Sequence, residues 1–204
     1  MENRTVILAA GDFPKKGGAA WGLLAAAMRV IACDSAADAY RRRFRKWPDV
    51  IIGDLDSLRA VEDVGHYRGV ELIRISDQDT NDLEKAMSYC AKRGWKNPVI
   101  VGATGKREDH AIGNVFRALD YGLEIVTDRG RFIPVRGKAA LKLRKGAAVS
   151  VFAPDPKTRM TSKGLKWPLD DVKFKNLYCA TLNRATASRV TLTTTRPISV
   201  YIAS

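Results

Sequence analysis

The sequence has 204 residues, which is enough for one large domain or two small ones with a buried core. Its 46% hydrophobic and 28% charged residues are typical of a globular protein, and no apolar run approaches the roughly 18 residues of a membrane span. The net charge of +13 favours polyanionic ligands such as nucleic acid, an anionic membrane or a nucleotide. The first residues lack a basic n-region and run into Asp12, so we expect no signal peptide, no membrane partner and a cytoplasmic location.

The cysteines and the basic residues argue against two classes of site. Cys33, Cys90 and Cys179 are far apart and form no CxxC motif, which argues against a disulfide framework or a zinc site. The densest basic run, residues 41–46, reads as a solvated helix end. The other lysines and arginines are spread along the chain without a discrete binding stripe, so we expect no nucleic-acid partner.

The N-terminal two thirds alternate short apolar runs with amphipathic stretches. Helices are predicted over residues 19–30 and 36–46, with a strand as an alternative from Arg29 to Cys33. Strands are predicted at residues 6–10, 50–52, 70–75 and 99–101. This alternation indicates an α/β domain with a mostly parallel sheet.

Two further helices follow the third and fourth of these strands. In the first, Asn81 can cap the N-terminus and Gly94 closes the helix. The second helix is predicted to begin near Asp109. The predicted buried face of the first helix is Leu83, Ala86, Met87, Cys90 and Ala91, and that of the second is Ile112, Val115, Phe116 and Leu119.

The pattern changes after about residue 128. Segments become short, alternate in polarity and are punctuated by proline and glycine, and Val190, Leu192 and Thr194 fall on one face. These features predict a small antiparallel β-sandwich. We therefore divide the chain into an α/β nucleotide-binding catalytic domain, residues 1–134, and a β-sandwich domain, residues 135–204.

Acidic and polar clusters follow three predicted strands, at residues 53–57, 76–82 and 102–114. Loops at the carboxyl ends of parallel strands converge on one crevice, so these side chains can meet in space. Carboxylates without histidine or cysteine partners suit Mg²⁺. The aspartates concerned are Asp54, Asp56, Asp79, Asp82 and Asp109.

Each cluster also has a purely structural interpretation. Asp79 and Asp82 can stabilise the positive end of their helix, and Asp109 can be an N-cap. Residues 53–57 can form a simple turn, since Gly, Asp and Ser are turn residues. The occurrence of all three clusters at strand ends favours a binding site.

The segment GATGKRED, which begins at Gly102, is not a P-loop because Gly105 comes too early and Arg107 follows Lys106. A glycine turn before a helix N-terminus, with two cations beside it, is still suited to an anion. The acidic clusters and this basic loop together predict a Mg²⁺–nucleotide site.

The segments GDLDSL, DQDTNDLEKAM and GATGKREDHAIGN resemble, in order and spacing, the signature blocks of the thiamine pyrophosphokinase family, and GLKWPL at residues 164–169 resembles its β-domain motif. The resemblance implies an α/β catalytic domain joined to a β-sandwich that binds thiamine and forms a homodimer. It implies transfer of diphosphate from ATP to the hydroxyl of thiamine, with Mg²⁺ as cofactor and AMP as the second product. The thiamine site would then lie between subunits.

The same resemblance implies roles for individual residues. Asp54, Asp56 and Asp82 correspond to the Mg²⁺-binding acids, and they form the catalytic group together with Arg107 and Asp109. Contacts to nucleotide or substrate are implied for Asp34, Ser57, Gln78, Asp79, Lys85, Thr104, Lys106, His110, Asn114 and Asn183.

The sequence departs from the family pattern at three places. The early Asp-Gly-Gly is Asp34-Ser35-Ala36, the glycine after GATG is Lys106, and the Ser-Asn pair of the β-domain is Leu182-Asn183. Two other functions therefore stay open. One is a Mg²⁺–ATP-dependent transferase or hydrolase with another acceptor, and the other is a nucleic-acid-binding module.

Overall fold

The computed structural model describes residues 4–56, 67–77 and 79–204. Its helices are α1 (Ala19–Ala25), α2 (Ala36–Phe44), α3 (Asp82–Lys92) and α4 (Glu108–Tyr121). Its strands are β1 (Thr5–Leu8), β2 (Arg29–Cys33), β3 (Val50–Gly53), β4 (Glu71–Arg74), β5 (Val99–Val101), β6 (Ile125–Val126), β7 (Gly130–Val135), β8 (Lys138–Lys142), β9 (Ala148–Phe152), β10 (Arg159–Lys163), β11 (Val172–Lys173), β12 (Ala180–Arg184), β13 (Arg189–Thr194) and β14 (Ile198–Ala203).

The chain forms two compact units. The N-terminal unit contains the chain to Asn114 together with Val126–Asp128, and the C-terminal unit contains Val115–Ile125 and Arg129–Ser204. Strand β7 runs through residue 134 and pairs with β14. The division into domains at residue 134 stays a prediction. Within the described ranges, no helix is long and apolar enough to span a bilayer.

A parallel sheet organises the N-terminal unit. Its strands lie in the order β5-β1-β2-β3-β4, and every neighbouring pair is parallel. The strands β1 and β3 are buried along their whole length because helices cover the sheet, and this explains why their sequences are continuous apolar runs rather than alternating ones. The expected α/β architecture with a mostly parallel sheet is confirmed.

The helices differ from the predictions in three details. Helix α1 ends at Ala25, because residues 29–33 pair with β1 and β3 as strand β2, which was the alternative expectation. Ala91 is exposed in the last turn of α3. Ile112 is 62% exposed, in a stretch near the start of α4 where residues 105–110 are exposed as well. The buried face of α4 is formed by Val115, Ala118 and Leu119. Apolar periodicity indicates a face of a helix but not whether another element covers it.

The C-terminal unit is a sandwich of two antiparallel sheets. The strand orders are β12-β9-β14-β7 and β11-β10-β13-β8. Inward residues from both sheets, among them Val151, Val190 and Val200, form one hydrophobic core. The predicted β-sandwich is confirmed. Val190, Leu192 and Thr194, which were expected on one face of a strand, are all buried.

Candidate functional site

An acidic group lies where β2 and β3 end. Asp34 follows β2 and is buried, whereas Asp54 and Asp56 follow β3 and are partly and fully exposed. One carboxylate oxygen from each of the three lies within 4.8 Å of the others. Opposite ligands of one Mg²⁺ ion are about 4.2 Å apart, so the three side chains suit a single hard cation with little adjustment.

Asp82 and Lys85 stand next to this acidic group, on the first turn of α3. A Cβ atom on Gly53 would lie 3.0 Å from the Cβ of Asp34 and 3.2 Å from the Cγ of Asp82, so only glycine lets both approach. Lys85 is buried, and its Nζ donates to Asp82 Oδ1 at 3.1 Å. Burial raises the pKa of Asp82, the nearby carboxylates of Asp34 and Asp54 raise it further, and Lys85 opposes them.

The glycine loop after β5 runs beside residues 9–12, which follow β1. Gly11 donates its amide to the carbonyl of Gly102, and Asp12 donates to that of Thr104, both at 2.8 Å. A Cβ on Gly105, whose φ is 80°, would overlap the carboxylate of Asp12. Lys106 has a φ of 56°, and its Nζ donates to the carbonyl of Ala10 at 2.8 Å. This hydrogen bond of Lys106 therefore links the two loops.

Arg107 and Asp109 form a bidentate ion pair at the start of α4. Nε of Arg107 donates to Oδ1 of Asp109 at 3.1 Å, and Nη2 donates to Oδ2 at 2.5 Å. These bonds and the backbone amide of His110 lower the pKa of Asp109 to about 2. Asp109 is ionised throughout the neutral range and orients the guanidinium group, which is 65% exposed.

A cavity of about 210 Å³ lies between the glycine loop and α3. Asn81 and Asn114 both line it, and Asn81 Nδ2 donates to Asn114 Oδ1 at 3.2 Å. Asn114 is buried and donates to the carbonyl of Ala103 at 2.9 Å. Asn81 also caps α3 by accepting from the amide of Glu84 at 2.9 Å. Two amide side chains thus connect the helix that carries Asp82 with the glycine loop.

The N-terminal unit brings together most of the residues expected from sequence. The acidic side holds Asp34, Asp54 and Asp56, with Asp82 and Lys85 adjacent. The cavity is lined on its basic side by Lys106, Arg107, His110 and Asn114.

The remaining expected residues have other placements. Thr104 contributes its carbonyl to the loop, and Asp79 is exposed, with its amide bonded to Oδ1 of Asp77 at 2.9 Å. Asn183 belongs to the C-terminal unit, where its Nδ2 donates to the carbonyl of Trp167 at 2.7 Å. Ser57 and Gln78 lie outside the described residues.

Sequence reasoning missed three contributions to the site. The sequence predicts Asn81 only as a helix cap and Cys33 only as a reduced thiol, and it predicts no site role for residues 9–11, yet all of them line the cavity. The signal for residues 9–11 was available, because a loop that follows a parallel strand joins the same edge of the sheet as the other such loops.

The fold and site define an α/β protein with a candidate ligand crevice at the carboxyl ends of parallel strands, with carboxylates on one side and cations on the other. Two family models match the chain. Residues 21–126 match "Thiamin pyrophosphokinase, catalytic domain", and residues 130–201 match "Thiamin pyrophosphokinase, substrate-binding domain". The chain belongs to the thiamin pyrophosphokinase family.

Plant relatives agree with this assignment. The chain is 29% identical over 164 residues to thiamine pyrophosphokinase 1 of Oryza sativa and 30% identical over 157 residues to thiamine pyrophosphokinase 2 of Arabidopsis thaliana. Each match covers 68% of this chain but only 59% and 58% of the respective plant protein, so the chain spans less than two thirds of these relatives.

The fold is shared with two solved structures of bacterial and yeast origin. A thiamin pyrophosphokinase family protein from Enterococcus faecalis superposes with a TM-score of 0.79 at 16% identity, covering 98% of this chain and 99% of that one. Yeast thiamin pyrophosphokinase gives 0.73 at 15% identity, covering 98% and 86%. At these identities the likeness is one of fold.

Proposed function

We propose that this chain catalyses Mg²⁺-dependent transfer of the terminal diphosphate of ATP to the hydroxyl group of thiamine, giving thiamine diphosphate and AMP. The observation that carries the proposal is the pairing of an acidic group with a basic glycine loop at one edge of the parallel sheet, in a member of this family. We further propose that the protein acts in the cytoplasm.

The acidic group fits Mg²⁺ in its chemistry. Its three donors are all carboxylates, which are hard oxygen ligands, and their oxygens converge within 4.8 Å. The resemblance to the family implies Asp54, Asp56 and Asp82, whereas the geometry groups Asp54 and Asp56 with Asp34. Asp54 and Asp56 are common to both sets and are the primary ligands in this proposal. Bound there, Mg²⁺ would draw negative charge from the phosphates and from the AMP leaving group.

The basic side of the cavity would hold the triphosphate. Lys106 and Arg107 bring two cations to the N-terminus of α4, where the helix dipole also favours an anion. Asp109 keeps Arg107 in a fixed orientation through its bidentate pair. Asn114 holds the glycine loop at Ala103, so the phosphate-binding main chain is preorganised.

In the transfer, the hydroxyl oxygen of thiamine forms a bond to the β-phosphorus while the bond from that phosphorus to the α,β-bridging oxygen breaks. AMP leaves with the bridging oxygen and its electron pair, and the hydroxyl proton passes to solvent. Such a reaction depends mainly on positioning and on charge stabilisation. Lys85, buried against Asp82, is placed to keep the acidic side of the site in a fixed geometry.

We propose that thiamine is held with the help of the C-terminal unit, in a homodimer whose substrate site lies between subunits. Asn183 is buried and fixes the main chain of Trp167 with two hydrogen bonds, of 3.2 and 2.7 Å, so it shapes the turn that presents the exposed Trp167 ring. Light scattering coupled to size-exclusion chromatography gives the mass that tests the dimer.

One observation favours a different acceptor. Leu182 stands where the family resemblance implies serine, has a φ of 62° and is 83% exposed. An exposed leucine offers no hydroxyl to an acceptor. A Mg²⁺–ATP-dependent transferase or hydrolase acting on another small molecule is therefore the second candidate function.

The deciding experiment is an AMP-release assay with ATP and Mg²⁺, run with and without thiamine. The proposal expects AMP only when thiamine is present, with an equal amount of thiamine diphosphate detected by mass spectrometry. AMP release that is independent of thiamine would support the second candidate. A folded protein that releases no AMP under either condition would exclude the thiamine reaction and the hydrolase, and a panel of other small acceptors would then test the transferase.

A further inference from the structure

A strongly basic groove covers the outer face of the sheet β11-β10-β13-β8. Its volume is about 660 Å³, and three of its lining residues are cationic: Lys138, Lys163 and Arg189. A fourth cation, Lys142, lies beside the groove on β8, opposite Arg189. All four side chains are exposed, on the opposite face of their strands from the hydrophobic core. In the sequence these residues are spread over 52 positions, and only strand pairing brings them together.

The register of the strands concentrates the positive charge. Lys142 on β8 lies directly opposite Arg189 on β13, and Lys163 on β10 lies opposite Thr191 of β13. Like charges that face each other across strands destabilise a sheet. This arrangement therefore opposes folding, and a bound anion would relieve it.

Protection of a sheet edge does not explain the groove. Strand β8 is an edge strand, and lysines on an edge strand prevent pairing with other chains. That accounts for Lys138 and Lys142. Arg189 lies on β13, which has a neighbour on both sides, whereas Lys163 lies on β10 beyond Arg159 and Met160, the two residues that pair with β11. The charge of Arg189 therefore needs another explanation.

The other residues of the groove indicate the kind of anion. Thr161, Thr191 and Thr193 lie between the cations and offer hydroxyl donors, which together with lysine and arginine are typical contacts to phosphodiester oxygens. None of the lining residues is aromatic, so the groove has no ring on which an unpaired base could stack. It also lacks the Trp, Phe or Leu side chains with which peripheral proteins enter a membrane.

We propose that this groove binds the phosphate backbone of a double-stranded nucleic acid. The partner differs from the expectation drawn from sequence, where the cations are too dispersed along the chain to indicate such a site. Recognition rests on charge and hydroxyl donors and is independent of base sequence. Duplex RNA and duplex DNA share this chemistry, and the experiment distinguishes them.

The test uses the full chain with fluorescein-labelled 20-base-pair duplexes of RNA and of DNA, and anisotropy is measured from 50 to 200 mM salt. Neutralising four phosphates predicts a slope of about −3.5 in a plot of log K against log salt concentration. A variant with Lys138→Gln, Lys142→Gln, Lys163→Gln and Arg189→Gln should lose at least about 10-fold in affinity at 50 mM salt. The slope of its salt plot should lie between 0 and about −1.

A matched control removes four exposed cations of the N-terminal unit through Arg42→Gln, Lys46→Gln, Lys92→Gln and Lys96→Gln. It should keep the parent slope and lose less than about 3-fold in affinity. Because Lys142 repels Arg189, the groove variant should melt at or above the parent temperature, which separates lost binding from lost folding.

Three results would overturn the proposal. Equal losses in the two variants would assign binding to overall charge rather than to the groove. Groove-dependent binding to phosphatidylserine vesicles or to polyglutamate, stronger than to either duplex, would assign the groove to a membrane or to an acidic protein. Absence of duplex binding at 50 mM salt would leave the groove without this partner. A preference between the RNA and DNA duplexes identifies which nucleic acid it takes.

Discussion

At the residue scale, the paired carboxylates of Asp54 and Asp56 are explained best by a shared cation. We expect Asp54→Asn or Asp56→Asn to lower turnover at least about 100-fold, comparable to losing one preorganised electrostatic group. The measurement is AMP release over a titration of Mg²⁺. Asp120→Asn, an exposed aspartate at the far end of α4, is the matched control and should keep the parent rate. A residue whose variant retains more than half of the parent turnover at saturating Mg²⁺ is not part of the metal site.

Lys106 combines the phosphate-binding charge that we propose for it with an unfavourable backbone conformation. Its φ of 56° is one that residues other than glycine rarely adopt. Lys106→Met and Lys106→Gly should both raise the KM for ATP about 10-fold, since each removes the ammonium group. Only Lys106→Gly relieves the backbone, so it should be about 1 kcal/mol more stable than Lys106→Met in urea unfolding. Equal stability of the two variants would contradict this reasoning.

At the element scale, Asn81 joins α3 to α4 through Asn114. Aspartate caps a helix as well as asparagine does, but it cannot donate a hydrogen bond to the Asn114 side chain. We expect Asn81→Asp to lose about 1 kcal/mol of stability, because the buried Asn114 Oδ1 loses its donor, and about 10-fold in turnover, because α3 is no longer linked to the residue that holds the glycine loop. Asn81→Ala also removes the cap and should cost about 1 kcal/mol of stability beyond that of Asn81→Asp. Parent-level turnover in Asn81→Asp would assign Asn81 to capping alone.

Much of this element-level arrangement could be predicted from sequence, because strand and helix periods differ and parallel strands end at one edge. The sequence predicts that the loops after β3, β4 and β5 meet, and the acidic group and the basic loop do lie at that edge. Asp34, which follows β2, is implied only by the family resemblance. The buried position of Asp34 depends on its φ of 39°, which a single sequence does not reveal. The exposure of Ile112 was missed because it depends on what packs against the start of α4.

At the scale of the whole molecule, stability should depend on a buried thiol at high pH. Cys90 is 1% exposed, and burial raises its pKa from the ordinary 9.0 to about 12. The folded state therefore keeps the thiol neutral, and this contribution is complete below pH 9 and is lost as pH rises towards 12. Between pH 8 and 10.5 the parent should lose about 2 kcal/mol more of its unfolding free energy than Cys90→Ala does.

Urea titrations of both proteins at the two pH values test this. Equal losses of unfolding free energy in the parent and in Cys90→Ala would show that the Cys90 thiol does not cause the loss of stability at high pH. The comparison between variants is needed because other groups, among them Tyr40 with a pKa raised by burial to about 12, also titrate in this range.

The cations of the C-terminal unit are brought together by strand pairing, which the sequence does not reveal. Lys138 and Arg189 belong to one groove only because β8 pairs with β13 in one register. Shifting that register by one residue would turn every side chain of the strand to the other face. A net charge of +13 therefore indicated an anionic partner in general, and the sandwich determines where the charge is concentrated.

The distribution of the three cysteines makes the protein convenient for spectroscopy. Cys179 is exposed, whereas Cys33 and Cys90 are buried, so a maleimide dye should react with the native chain at one position. One batch can carry a donor dye and another an acceptor. After mixing, subunit exchange in the proposed homodimer would produce energy transfer that grows with time and disappears with excess unlabelled chain. A constant donor lifetime would identify a monomer or an assembly that does not exchange.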